Sequence, residues 1–221
     1  MTPSVGWELV RRGHLRRGLR LTPLAAGAVS VVAFLVSRRG GSPDALGDLR
    51  VAALLLTLGS GYVLDDGAAG ILQASPYALA RRVRLRIAAA AVLLVPAWAS
   101  LLAGLLRSAR PSDRWTLGLG LTVEFAAVLT VVWAIAAVAR RRGVDHPGVV
   151  TGPALLASLF LMSSLARAPM LVGLGPDWVP AHLRWSAVLA GAAAVLAVAV
   201  GDPAADWRRS GERYLKKLGA S

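Results

Sequence analysis

Long uncharged apolar segments alternate with short arginine-rich ones along the chain. A helix that spans a bilayer needs about 20 mostly apolar residues, and six segments reach or approach that length. They are residues 19–36, 46–64, 87–106, 115–139, 149–166 and 184–200. The pattern predicts an all-α integral membrane protein, with six transmembrane helices that form a single transmembrane domain over residues 1–221.

Two of these segments carry polar or helix-breaking residues that affect their geometry. Asp48 and Arg50 lie in the first turn of the second segment, which makes it the weakest of the six. Pro96 lies in the middle of the third segment, where a missing backbone N–H predicts a kink. The composition agrees with membrane insertion, since 56% of the residues are hydrophobic and 17% are charged, against about 25% charged in soluble domains.

The positions of the basic residues predict the orientation. Most of the 25 Lys and Arg residues fall in the segments that are cytoplasmic if the N-terminus is inside, as the positive-inside rule requires. We therefore expect a multi-pass protein of the cell membrane with both termini in the cytoplasm. The net charge of +13 belongs to these loops, and it does not indicate nucleic-acid binding.

The two ends of the chain share an amphipathic pattern. Apolar residues, led by Trp7 and Trp207, recur every three or four positions, and basic residues occupy the opposite face. This pattern predicts N-terminal and C-terminal amphipathic helices that lie on the cytoplasmic face of the membrane. The alternative is that both stretches are basic flanks that only set the topology.

The loop between the second and third segments, residues 65–86, has the signals of an ordered structure. Asp66 and the pair Ser75–Pro76 are helix-start signals, so two short helices are expected here. One hypothesis makes the loop a docking element for a cytoplasmic partner, and the other makes it an ordinary ordered loop whose arginines stop translocation. The candidate docking residues are Asp65, Asp66, Ile71, Leu72, Ser75, Pro76, Tyr77, Arg81 and Arg82.

Glu124 is the only acidic residue deep within an apolar segment. It lies nine residues after Trp115, which is about 13.5 Å along the predicted helix at 1.5 Å per residue. An ionisable group at such a depth is costly, which makes Glu124 a candidate for a transport path. The alternative is a structural hydrogen bond between helices.

The remaining polar features are less specific. The outer loop 167–182 is rich in Pro and Gly yet apolar, and we expect a re-entrant or surface-lying hairpin there. The histidines His14, His146 and His182 stand alone in the sequence, and we expect each to be interfacial or solvated.

The motifs of catalysis and cofactor binding are missing from the sequence. There is no Cys, and the only lysines, Lys216 and Lys217, do not follow the Gly of a phosphate-binding loop. Asp66–Gly67 matches the middle of the CDP-alcohol phosphatidyltransferase motif, but Val63 replaces its first Asp and no later paired Asp follows. We therefore expect no catalytic residues, no metal site and no cofactor in this chain, and no enzyme activity.

Three short runs between the second and third segments, Leu64–Asp65–Asp66, Ala74–Ser75–Pro76 and Arg81–Arg82, lie in a six-segment frame. With them the chain resembles the membrane subunits of type 2 ATP-binding-cassette exporters, of the small Ala- and Arg-rich actinobacterial kind. The resemblance implies a permease that works by alternating access and is driven by a separate cytoplasmic ATPase, which would hold the ATP and Mg. It implies coupling through residues 65–82, and assembly as a homodimer or with a sister permease subunit.

Two alternatives from other classes stay open at this stage. One is a small-molecule-binding membrane subunit of an uptake transporter, for which the apolar segments offer few polar residues to line a cavity. The other is a structural membrane protein without transport activity. An intramembrane enzyme that acts on lipid would need clustered Asp, Glu or His residues, which the sequence does not contain.

Overall fold

A computed structural model describes residues 44–65, 79–144, 146–165 and 171–201, together with Gly27, Val29, Val31, Val32 and Phe34. Within these residues all regular secondary structure is helical, which confirms the all-α prediction. The predicted amphipathic helices at the two ends of the chain lie outside the described residues. So does most of the predicted first span, although its five described residues are helical.

The described residues include five long helices. They are α1 (Ala45–Gly61), α2 (Leu79–Ser108), α3 (Arg114–Arg141), α4 (Pro147–Leu165) and α5 (Trp178–Val200). A 3-10 turn, Tyr62–Leu64, extends α1. In this part of the chain, α1 with its turn, α2, α3 and α5 are each long and apolar enough to cross a membrane.

The helix boundaries follow local capping chemistry. The Asp44 side chain accepts a hydrogen bond of 2.8 Å from the Gly47 N–H and so caps α1. Helix α4 begins with Pro147, at the first helical position, where the missing N–H costs nothing. Helix α2 continues through Pro96, and there the Ser100 hydroxyl donates to the Pro96 carbonyl at 2.8 Å.

The prediction for the outer loop was wrong at its C-terminal end. Helix α5 begins at Trp178, six residues before the predicted span, so residues 178–182 are its first turns and not part of a hairpin. Asp177 occupies the N-cap position and Pro180 falls in the first turn, where its missing N–H is tolerated. The hydropathy pattern missed this start because Arg184 interrupts the apolar run.

Contacts near the helix ends show the direction of each helix. Arg50 near the start of α1 and His182 near the start of α5 both reach Glu124 in the first half of α3. At the other end, Arg140 of α3 donates to the Leu64 carbonyl. Helices α1, α3 and α5 are therefore parallel, and α2 and α4 run in the opposite direction. We call the end at which α1, α3 and α5 begin the cluster end, and the opposite one the loop end.

Helix α3 is the centre of the bundle. It packs against α1, α4 and, most extensively, α5. Of its most apolar stretch 61% is buried, compared with 11% for α5, whose outer face is left uncovered by the described residues. Because α5 is apolar on this uncovered face, lipid is the solvent that suits it.

Candidate functional site

The cluster end holds a buried ion pair between two helices. Arg50 Nε donates to Glu124 Oε2 at 2.8 Å, and Arg50 Nη2 donates to Glu124 Oε1 at 2.6 Å. The two side chains retain only 14% and 7% of their exposure. Two parallel bonds between a guanidinium and a carboxylate are both strong and directional, so this pair fixes α1 against α3.

The same guanidinium also fixes the loop before α5. Arg50 Nη2 donates a second hydrogen bond, of 2.9 Å, to the carbonyl oxygen of Val172. One side chain of α1 therefore connects α3 with the segment that leads into α5. The same loop also exposes two apolar side chains, those of Leu171 and Leu174.

His182 completes the cluster from α5. Its Nε2 lies 3.1 Å from Glu124 Oε1, a distance that makes an ion pair when both ring nitrogens carry protons. Its Nδ1 lies 2.7 Å from the Trp178 carbonyl oxygen. Because a carbonyl only accepts, Nδ1 carries a proton and donates it. The ring of Trp178 lies against the imidazole, with centroids 4.1 Å apart.

A glycine of α3 makes room for this approach. A Cβ at Gly120 would lie 2.5 Å from Trp178 Cζ2 and 2.7 Å from His182 Nε2. Any larger residue would push the first turns of α5 away from α3. The position of His182 beside Glu124 thus depends on the absence of a side chain at Gly120.

A small half-open pocket adjoins the ion pair. Arg50 and Glu124 are among its lining residues, but the surface that the pocket exposes is almost entirely apolar. Trp98 and Phe125 stack there in parallel, with ring centroids 4.5 Å apart and 3° between their planes. Trp185 and Leu171 also line the pocket. The ion pair therefore lies behind a small apolar and aromatic surface depression.

The loop end holds a second buried carboxylate, that of Asp65. Its Oδ1 accepts a hydrogen bond of 2.7 Å from the Gly148 N–H, in the first turn of α4. Its Oδ2 lies 4.0 Å from Nδ1 of the exposed His146. A negative charge at a helix N-terminus is stabilised by the free N–H groups and the helix dipole. Asp65 therefore serves as a side-chain cap for α4, supplied by the chain that leaves α1.

The backbone around Asp65 is fastened as well. Arg140 Nη1 donates to the Leu64 carbonyl at 2.5 Å, and Arg86 Nη1 donates to the Asp65 carbonyl at 2.8 Å. With the bond to Gly148, the end of α1 is tied to α2, α3 and α4.

The predicted docking residues are only partly covered by the structure. Asp65 is described, and Arg81 and Arg82 lie in the first turn of α2. The others, Asp66, Ile71, Leu72, Ser75, Pro76 and Tyr77, lie outside the described residues. The two short helices expected in this loop fall on the same part of the chain.

Glu124 was singled out from the sequence, but its partners were not. Arg50 was treated only as a weakness of the second span, and His182 was expected to be interfacial or solvated. His182 is not solvated, since its side chain is 11% exposed and lies beside Glu124. The cost of a lone intramembrane carboxylate was the signal that could have found Arg50, because it calls for a cation at similar depth on another helix.

Among the described residues no group of three or more His, Cys, Asp or Glu side chains could hold a metal ion. No protein-family model, curated protein or solved structure matches the chain.

Proposed function

We propose that this chain is the membrane-spanning permease subunit of an ATP-driven exporter. In this proposal it crosses the cell membrane six times, with both termini in the cytoplasm. It couples to a separate cytoplasmic ATPase through residues 65–82, and the ATP and Mg belong to that partner. The four helices long and apolar enough to span a membrane support the membrane setting.

The observation that carries the proposal is the fastened junction at the loop end. A docking segment can transmit a movement to transmembrane helices only if the residues at its start are bonded to those helices. Leu64 and Asp65, at the start of this segment, are bonded to α2, α3 and α4 by three hydrogen bonds. A push on residues 65–82 would therefore move several helices together as a shear or hinge motion.

In this mechanism the movement of the helices changes the contacts at the cluster end. Helices α1, α3 and α5 meet there through Arg50, Glu124 and His182. A shift of α3 relative to α1 would stretch the two bonds of the ion pair and change the adjoining pocket. This gives Glu124 its proposed place in the transport path. Two subunits, either identical chains or sister permeases, would enclose the full path.

The orientation can be tested on the chain as it is, because it contains no Cys. Single Cys substitutions at Gly173, where a side chain meets nothing within 4 Å, and at the exposed Val144 report on opposite ends of the bundle. A membrane-impermeant thiol reagent added to intact cells is expected to label Gly173→Cys and to spare Val144→Cys. Labelling of Val144→Cys alone would overturn the proposed orientation.

The partner is tested by purifying the tagged chain from its native host in a mild detergent. We expect a soluble ATPase to copurify, and to be lost with the double variant Ile71→Asp and Leu72→Asp. The matched control is Leu171→Asp and Leu174→Asp, which adds the same charges to exposed apolar residues at the cluster end and should keep the ATPase.

Two results would contradict the proposal. Retention of the ATPase by the Ile71 and Leu72 variant would remove the docking role of this segment. Recovery of no ATPase with the native chain would remove the exporter function itself.

The pocket favours a second candidate, a small-molecule-binding membrane subunit of an uptake transporter. Its stacked Trp98 and Phe125 offer an apolar surface to a solute. In that case the native chain should bind a ligand in the absence of any ATPase, and loss of the partner should leave the binding unchanged. A chain with neither partner nor ligand would be a structural membrane protein.

A further inference from the structure

We propose that the loop end of α3 and α5 binds an acidic phospholipid, with the lipid phosphate on Arg141 and Arg142 and the acyl chains along the uncovered face of α5. This goes beyond both candidate functions, neither of which names a lipid. It also stands apart from the partner ATPase, because it concerns only this chain and the bilayer.

The first argument is the position of Arg141, the last residue of α3. Its Nη1 donates a hydrogen bond of 2.7 Å to the Val198 carbonyl, two residues before the end of α5. The carbonyls of a last helical turn favour a basic side chain, so this bond holds the guanidinium at the loop end of α5. A guanidinium has five N–H groups, and the other four have no partner among the described residues. Arg141 is exposed, so a phosphate oxygen can accept charge-assisted bonds from it.

The second argument is the balance of charge at the loop end. Arg142 follows Arg141 directly and is exposed as well. Among the described residues the only carboxylate at this end is that of Asp65, whose side chain is fully buried and accepts from the Gly148 N–H. The described surface therefore offers the two arginines no exposed carboxylate as a partner. An anion that neutralises them has to come from outside this part of the chain.

The third argument is the apolar surface beside this charge. Val198, whose carbonyl holds Arg141, has a side chain that is 70% exposed, and Ala190 and Ala194 are exposed one and two helical turns before it. The positive charge therefore lies at the end of the lipid-facing side of α5. A soluble anion matches only the charge, whereas an acidic phospholipid matches the charge with its head and the apolar side with its acyl chains. Each basic residue near an anionic membrane surface strengthens binding about fivefold.

The test measures which lipid lies against α5. The chain contains no Cys, so Ala194→Cys places a single fluorescent label on the exposed side of this helix. The full chain is placed in nanodiscs that contain phosphatidylglycerol or phosphatidylcholine with the same brominated acyl chains, because bromine quenches a fluorophore that it contacts. We expect the relative binding constant of phosphatidylglycerol to exceed that of phosphatidylcholine at least about fivefold. Equal quenching by the two lipids would overturn the assignment.

Variants in the Ala194→Cys chain connect the preference to the two arginines. The double variant Arg141→Gln and Arg142→Gln should abolish it. The matched control, Arg107→Gln and Arg110→Gln, removes two exposed positive charges at the cluster end and should leave it unchanged. Arg141→Lys and Arg142→Lys keep both charges and should retain most of the preference. A preference that survives the Gln pair at residues 141 and 142, or that is lost with the Lys pair, would contradict the role of these charges.

A second label position separates a local site from general attraction of acidic lipid to a basic protein. Val92 is 72% exposed on α2, and a label at Val92→Cys should show a smaller preference that the Gln pair at residues 141 and 142 does not change. An equal preference at both positions, lost equally with the Gln pair, would overturn the local site. Quenching by phosphatidylcholine at Ala194→Cys should be the same with and without the Gln pair, which shows that α5 still faces lipid in the variant.

Discussion

The two ends of the bundle both bury a carboxylate, and they stabilise it by different means. At the cluster end Glu124 is held by the side chain of Arg50 and approached by His182. At the loop end Asp65 caps the first turn of α4 through a backbone N–H, and its histidine neighbour is exposed. The first is a pairing of side chains next to a pocket, and the second is a cap within a junction of helices.

The two ends therefore differ in how their contacts can change. At the cluster end both partners are side chains, which can change contacts by rotation without a movement of the backbone. A backbone N–H in a helix cannot be moved without moving the helix, so the cap at Asp65 couples the chain that leaves α1 to α4. The loop end is therefore suited to transmit force.

The largest effect is expected from Arg50→Ala, which leaves Glu124 buried without its main partner. Removal of one partner of a buried pair costs about 3–5 kcal/mol, and we expect the free energy of unfolding to fall by that order. Titration of the detergent-solubilised protein with SDS measures it. Arg110→Ala, in an exposed connection at the same end, should change the value by less than about 0.5 kcal/mol. Equal effects of the two substitutions would contradict the structural importance of the pair.

Gly120→Ala should disturb the cluster end without changing any charge. Its Cβ would collide with Trp178 and His182, and overpacking of this kind costs about 1–3 kcal/mol. Gly118→Ala, on the same helix, meets Leu106 at an ordinary 3.5 Å. It should be neutral or stabilise by up to about 1 kcal/mol through helix propensity. Thermal unfolding in nanodiscs distinguishes the pair, and a stabilised Gly120→Ala would show that α5 does not approach α3 as described.

Asp65→Ala tests the cap at the loop end. Loss of a side-chain cap costs about 0.5–2 kcal/mol, so the expected loss of stability is smaller than that of Arg50→Ala. Hydrogen exchange should accelerate at the Gly148 amide and the first turn of α4, and remain unchanged around Glu124. Asp65→Asn keeps an acceptor oxygen and should have the weaker effect. Faster exchange throughout the bundle would mean that Asp65 supports more than the start of α4.

The smallest effect is expected from His146→Ala. Its side chain is 53% exposed and no closer than 4.0 Å to Asp65, and substitutions at exposed positions usually change stability by about 0.5 kcal/mol or less. His182→Ala removes a nearly buried ring that packs on Trp178 and approaches Glu124, so it should lower stability more. Parallel thermal unfolding of the two variants compares the ends directly. A larger loss for His146→Ala would reverse the comparison.

The helical class and the approximate positions of five helices could be predicted from the sequence. Span length and capping are local properties, so α3 was predicted to within two residues at each end. The start of α5 was missed because the hydropathy pattern stopped at Arg184, whereas the turn around Asp177 begins the helix. The cost of a buried charge was enough to identify Glu124, since that cost depends on the residue and its segment alone.

The contacts between polar side chains of different helices could not be predicted from the sequence and depend on the tertiary structure. Arg50 is 74 residues from Glu124 in the chain, and no local pattern specifies that they face each other at the same depth. The same holds for His182, which lies beside Glu124 only because Gly120 lets α5 approach α3. Asp65 was predicted as part of a docking loop, and its bond to Gly148 became visible only when α4 was placed next to α1. Apolar length and capping are encoded along the chain, whereas the pairing of charges depends on the distances and rotations between packed helices.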